Sequence, residues 1–452
     1  MPTTKKLLQE EALASEAIVR VLEEAGIDMV FGIQGGNMGR LYDALYDHQD
    51  TVRAVLVRHE QLASVMAEVY GRLTGKPGVA IGQGIFMLAN GLLGTLEAQF
   101  GSSPMLLLTD FSDVAPYTKH APYQTGSGDY GGVDTRQALA GVTKRTMVAN
   151  TPTEAVHATQ LAIKHALSGE RGPVGLIYHS NCFLGGTVDP EQRPYIYSTS
   201  AYLPAAAPAD PASVTAAARA ILAAKRPVII AGNGVRIAQA YQQLADLAHL
   251  VGAPIATTAS GKGVFAETDD WALGVCGNFG QAAANSYIGS ADLVLAVGTR
   301  LGAADTAHQN PALIDPTRQT LVQIDVEPKN ASWTFPCDTV VVGDAALALA
   351  QLGAALRDIG APSAAVVNAR KTALDSTREK EKFFNDPGYT SDEQPIMPQR
   401  VFAALHEAID DDAIITCDAG ENRLFMTHFF RTKGPGTLLM PGIGAMGYAI
   451  PA

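Results

Sequence analysis

The feature that most limits the fold is a succession of short apolar runs. Each closes on a glycine or polar turn, and segments with helical periodicity separate them. IDMVFGIQGG, VRAVLV, GVAIGQG, SPMLLLTDF and GPVGLIYHS read as strands of four to eight residues. Between them, residues 10–25 place Ala14, Ile18, Val21, Leu22 and Ala25 on one helical face, with Gly26 as a stop. HEQLASVMAEVYGRLTG reads as another helix. Continuous apolar runs suit strands buried on both faces. Strands alternating with helices imply an α/β fold with a parallel sheet between two helical layers.

The pattern repeats along the chain. Residues 1–190 form a first unit. Residues 191–212, rich in Pro, Ala, Ser and Tyr, read as a linker. A second α/β unit spans 213–358, with RPVIIAGNG, APIATTASG, DLVLAVGTR and TLVQIDVEP as strands that end in turns. The polar residues 359–394 read as a second linker. A third unit opens at MPQRVFAALHEAI and reaches AIITCDAG and MPGIGAMGYAIPA at residues 395–452, where an α/β domain has begun without finishing.

Composition narrows the partners. With 452 residues and 47% hydrophobic content, the chain has enough apolar material for two to four packed domains. A net charge of −12 argues against nucleic acid or an anionic membrane, because both need clustered Lys and Arg. Four scattered cysteines without a CxxC pair point to free thiols in a reducing compartment. No signal-peptide pattern or membrane-length apolar run is present, so a cytoplasmic protein is expected.

The strongest chemical signal is Arg58-His59-Glu60-Gln61, where a strand leads straight into a helix carrying Glu60 in its first turn. Alone, this is a glutamate favoured by the helix dipole. Its surroundings say more. FGIQGG lies upstream, YGRLTGKPGVAIGQG follows, and further on come GPVGLIY, RPVIIAGNG, VGTRLG, QIDVEPKN, MPQRV and GIGAMGYAIPA. In this order and spacing, the motifs resemble the thiamine-diphosphate-dependent acetolactate synthase family. The resemblance implies three domains, each a parallel sheet flanked by helices: pyrimidine-binding, central Rossmann-like, and an incomplete pyrophosphate-binding domain.

The resemblance also implies roles. Glu60 is the carboxylate that activates the cofactor through its pyrimidine ring, a task that calls for a buried, rigidly held group with a raised pKa. Gln34, Gly35, Phe86 and Asn90 would lie near the same ring. Ile85, Phe86 and Met87 stand where the family has Gly-Pro-Gly, a departure that bears on the substrate pocket and on the reaction itself. Gln124 and Lys144 would shape the substrate site, while the nearby GSGDYGG stretch reads equally as a surface loop. His120 is a further polar candidate, read more simply as a structural histidine. Asp418, Gly420, Glu421, Asn422 and Gly444 would line the diphosphate, and Met446 would prop the cofactor into its bent shape. In the central domain, Gly232, Gly234, Gly298, Arg300 and Asp325 are candidates for FAD or another nucleotide. The loss of the family's Asp-Asp-Arg after Arg300 weakens the flavin reading.

No residue of this chain is assigned to a metal. The family holds Mg²⁺ with residues expected after Ala452, so the chain as given is expected to bind the cofactor poorly and to be inactive alone. In full-length form the implied reaction is decarboxylation of a 2-oxo acid to an enamine, then transfer to a second carbonyl. Decarboxylation or C–C cleavage without ligation, and a silent paralogue acting as a scaffold, stay open. A homodimer or homotetramer with sites at the subunit interface is implied.

Overall fold

The computed structural model describes residues 5–111, 123–129 and 131–452. The chain divides into two compact units, one running to Ala205 and including Pro451–Ala452, the other spanning Ala206–Ile450. The boundary falls inside the proline-rich stretch expected as a linker. The first half of that stretch bonds back into the first unit, through Ser198 N to Lys5 O and Gln160 Nε2 to Tyr197 O.

In the first unit, β1 (Ala12–Leu13) pairs with β8 (Thr187–Val188) as a short antiparallel ladder. The main sheet holds β2 (Met29–Gly32), β3 (Arg53–Leu56), β4 (Gly78–Ile81), β5 (Met105–Phe111), β6 (Arg145–Ala149) and β7 (Pro173–His179). Its order is β3-β2-β4-β5-β7-β6 and every pairing is parallel. The apolar run Met105–Leu108 is fully buried at the centre, as a strand covered on both faces requires.

Helices α1 (Ala14–Glu24) and α2 (Gly39–Asp47), with the helix Pro152–Leu167, cover one face. On the other lie α3 (Glu60–Thr74), α4 (Gly84–Asn90) and α5 (Leu92–Gly101). A Cβ at Gly94 would lie 2.2 Å from the Ser64 carbonyl carbon, so only glycine lets α5 rest directly on α3.

The second unit repeats the design. Strands β9 (Pro227–Ala231), β10 (Ile255–Thr257), β11 (Ala272–Val275), β12 (Leu293–Val297), β13 (Thr320–Asp325) and β14 (Thr339–Val342) form a parallel sheet in the order β11-β10-β9-β12-β13-β14. The chain reverses its direction of travel between β9 and β12. Strands β15 (Ile415–Thr416) and β16 (Leu438–Leu439) pair in parallel over a small core of Cys417, Met426, Phe430, Leu438 and Met440.

The polar stretch 359–394 differs from its expected role as a linker. Ala364–Lys380 is a helix capped by Ser363, and its Leu374 joins the central core. Its polarity misleads because only a narrow face is buried. Part of that face is Arg370, which donates to the carbonyls of Val251 and Ala224.

Candidate active site

In the first unit all six main strands point the same way, and their C-terminal ends form one rim. In open α/β sheets this rim is where ligands bind. The link between β3 and α3 is short, so Glu60 in the first turn of α3 is held at the rim. His59 caps the helix by accepting from Gln61 N at 3.3 Å. Asn90, the last residue of α4, donates through Nδ2 to Glu60 Oε2 at 2.8 Å. Among the described residues this is the hydrogen bond the Glu60 carboxylate makes. The expected deep burial is not met: Glu60 is half-buried. It follows β3, which among the described residues is an edge strand of the sheet.

Beside this pair, β2, β4 and β5 end around a second carboxylate. Asp110, buried, accepts from Asn37 N at 3.0 Å and Asn37 Nδ2 at 3.1 Å on Oδ2, and from Gly84 N at 2.9 Å on Oδ1. Burial pushes its carboxyl above the usual range, against the pull of these donors. Gly36 adopts a left-handed φ of 55°, and a Cβ there would stand 3.0 Å from Asp110 Oδ2. Gly35 faces Gln83, whose amide donates to Gln124 Oε1 at 2.5 Å. Gln34 is exposed. The rim thus brings Gly35 and Gln124 to one cluster and Glu60 and Asn90 to its neighbour.

Lys144 is not brought there. It precedes β6 and so lies at the N-terminal edge of the sheet, opposite the rim. Its ammonium donates to the carbonyls of His165, Ser168 and Glu170, at the C-terminal end of the helix Pro152–Leu167. Unsatisfied carbonyls at a helix end attract a cation, which explains the position without any substrate. His120 lies outside the described residues.

In the second unit, Asp418 follows β15. Its carboxylate accepts from Ala419 N at 2.7 Å and from Gly447 N at 3.0 and 3.1 Å. Burial would raise its pKa, but backbone donors from Ala419 and from residues 447–449 outweigh this and hold it below the usual range. Gly420 (φ 81°) leads into a helix starting at Glu421, with Glu421 and Asn422 exposed in its first turn. Gly444 (φ 82°) lies against Arg423, and Met446 is 81% exposed. The two glycine loops are therefore tied together by the Asp418–Gly447 bond.

The central glycines do not form an open cradle. A Cβ at Gly232 would stand 2.4 Å from Gly298 O, and one at Gly234 2.6 Å from Gly298 Cα. Gly234 N also donates to Gly298 O at 2.9 Å. These glycines let two strand ends pack backbone to backbone, a close approach that accounts for them without a phosphate. Arg300 instead lines an open groove of about 720 Å³ with His308, Gln309, Lys329, Asn330 and Trp333. Asp325, nearly buried at the end of β13, accepts from Glu327 N at 3.0 Å.

Comparison with known proteins places the chain in a family. Residues 13–127 match the family described as thiamine pyrophosphate enzyme, N-terminal TPP binding domain, and residues 214–352 match its central domain. The probable acetolactate synthase large subunit of Methanocaldococcus jannaschii is 32% identical over 449 residues, covering 97% of this chain and 72% of the relative. The acetolactate synthase large subunit of Corynebacterium glutamicum is 30% identical over 452 residues, covering 98% and 68%. The chain belongs to the thiamine pyrophosphate enzyme family.

The residues fit the pyrimidine half of that family's cofactor. A carboxylate at the rim is steadied by one amide, and Gly82 leaves room beside it, since a Cβ there would meet Met87 Sδ at 3.1 Å and Glu60 Cγ at 3.6 Å. The family's glycine turn is replaced by the start of α4. Only Met87 enters the core, while Ile85 is half-buried and Phe86 is 38% exposed. Among the described residues, no group of three or more His, Cys, Asp or Glu side chains is placed to hold a metal. No described helix is long and apolar enough to cross a membrane.

Sequence reasoning missed Gln83, Thr109 and Asp110. A signal was present: two polar residues interrupt SPMLLLTDF at the C-terminal end of an otherwise apolar strand.

Proposed function

We propose that this chain carries the cofactor-activating residues of a thiamine-diphosphate-dependent carboligase acting on 2-oxo acids, in the manner of acetolactate synthase large subunits. The Glu60–Asn90 hydrogen bond at the sheet rim, inside the matched cofactor-binding segment, carries this reading. Bound thiamine diphosphate supplies an electron sink for decarboxylation of the 2-oxo acid. Glu60 exchanges a proton at its carboxyl with the cofactor's ring. Asn90 holds Oε2, so Oε1 is the oxygen presented to that ring. Gln34, Gly35 and Phe86 would line the pyrimidine side, and Gln124 the substrate. In the second unit Asp418, Gly420, Glu421, Asn422, Gly444 and Met446 would serve the diphosphate half, as the opening of a pyrophosphate-binding domain over 395–452. No step is assigned to a metal ligand of this chain.

The helical Ile85–Met87 segment supports a second outcome, decarboxylation or C–C cleavage without ligation, because it changes the shape beside Glu60. The groove with Arg300, Lys329 and Trp333 supports a phosphate-bearing nucleotide such as FAD in the central domain. Exposed Leu56, Phe86 and Phe100 on the first unit support self-association into a dimer or tetramer. Four free cysteines, three of them buried, suit a reducing cytoplasm.

The test is product analysis of the full-length gene product with thiamine diphosphate, Mg²⁺, pyruvate and longer 2-oxo acids. A 2-hydroxy-2-keto acid supports ligation, and free aldehyde with CO₂ supports the second outcome. Absence of both cofactor binding and turnover would sink the enzymatic reading and favour a scaffold.

A further inference from the structure

We propose that Asp110 is a positioning residue for the Glu60–Asn90 pair, acting through α4. Its carboxylate sits at the C-terminal end of the central strand β5 and ties two loops together. On Oδ2 it holds both donors of Asn37, in the turn after β2. On Oδ1 it holds Gly84 N, the first residue of α4. Its neighbour Thr109 donates through Oγ1 to Gly82 O at 2.9 Å and Gly84 O at 3.3 Å. The loop between β4 and α4 is thus pinned from both sides. The other end of α4 is Asn90, which fixes Glu60. Seven helical residues span only about 10 Å, so a shift at Gly84 reaches Asn90 almost undamped.

The carboxylate chemistry is specific. Three N–H donors converge on two oxygens, and an amide would turn its own N–H group toward at least one of them. A buried carboxylate costs stability unless its donors compensate. At the end of a strand that opens with the buried apolar run Met105–Leu108, core packing alone calls for a hydrophobic side chain. The geometry therefore assigns Asp110 to alignment: it fixes the entry of α4, and with it the amide that orients Glu60.

This proposal rests on the reading of Glu60 as the cofactor-facing carboxylate, so the test separates the two. Asp110→Asn and, as a gentler change, Asn37→Ala are made in the full-length gene product. Backbone hydrogen exchange is followed by peptide mass analysis, with Leu107→Ala in the same strand as a core control. Expected for both variants is faster exchange over residues 37 and 84–90, on the order of tenfold for Asp110→Asn, with the rest of the sheet unchanged. In turnover, kcat should fall while the KM for the 2-oxo acid stays within about twofold. The Leu107→Ala control should speed exchange across the whole sheet. The proposal is overturned if exchange in Asn37→Ala and Asp110→Asn rises only at residues 37 and 84 without reaching Asn90, or rises everywhere as in the control. If the unaltered protein turns over no 2-oxo acid, the functional reading fails, and the exchange pattern still decides the alignment role.

Discussion

Asn90 donates to Glu60 across 2.8 Å although thirty residues of chain separate them. The contact brings the first residue of α3, which follows β3, against the last residue of α4, which follows β4. Glu60→Gln keeps an oxygen for Asn90 but removes the exchangeable proton. In the full-length protein kcat should fall by roughly 10²- to 10⁴-fold, the range for losing a general acid–base group. The melting temperature should move by no more than about 2 °C. Asn90→Ala should lower kcat by about tenfold, through lost orientation. Normal turnover by Glu60→Gln would remove the assignment.

Lys144 should behave as a structural residue. Its ammonium satisfies carbonyls at the end of the helix Pro152–Leu167, far from the rim. Lys144→Met should lower unfolding free energy by about 1–2 kcal/mol in urea titrations. Turnover per folded molecule should be unchanged. A selective loss of kcat in a variant of normal stability would return Lys144 to the site.

These two residues mark the limits of sequence reading. Both were picked out by the same family resemblance. The alternation of apolar runs and helices was enough to define the parallel sheets, because strand burial is written in continuous hydrophobicity. Glu60 was legible because it opens a helix straight after a strand, and Asn90 through the family resemblance alone. The motif does not say at which end of its strand Lys144 stands, and the structure places it at the edge opposite the rim. Asp110 showed only as a polar break at the end of an apolar strand, and its role was hidden because its partners Asn37 and Gly84 are brought to it only by the three-dimensional pairing of β2, β4 and β5. At the central glycines the signal was ambiguous: glycine after a strand marks close approach, and here the approaching group is backbone.

A buried ion pair holds part of the second unit. Lys262 Nζ lies 2.6 Å from both carboxylate oxygens of Glu267, with side-chain exposures of 0% and 2%. Glu267 also accepts from Thr432 N at 3.0 Å, so the pair ties residues after β10 to the stretch before β16. Burial pulls the Lys262 pKa down, against the attraction of Glu267. Glu267→Gln leaves a buried cation poorly paired and should cost about 3–5 kcal/mol of unfolding free energy. Replacing both partners, Lys262→Met with Glu267→Leu, should cost clearly less. Equal losses in the single and double variants would show that packing, not charge, dominates there.

The helix pair α1–α2 should show a measurable pH dependence. His48, just past the end of α2, lies with Nδ1 2.9 Å from Glu23 Oε1 and Nε2 2.9 Å from Glu16 Oε2, both on α1. Burial works to lower its pKa, but the two glutamates outweigh this and raise it. A histidine whose folded pKa is raised stabilises fully below its unfolded value, about 6.5. That stabilisation fades as the pH climbs through the higher folded value. With all three side chains about a quarter exposed, the effect should not exceed about 1 kcal/mol. His48→Gln keeps polarity without the charge. Its stability deficit relative to the unaltered protein should be largest near pH 6 and shrink toward roughly pH 8.5. Urea titrations of both proteins at the two pH values provide the measurement. A deficit that is the same at both would mean that the imidazole contributes by packing and neutral hydrogen bonds, and that its charge does not hold α1 to α2.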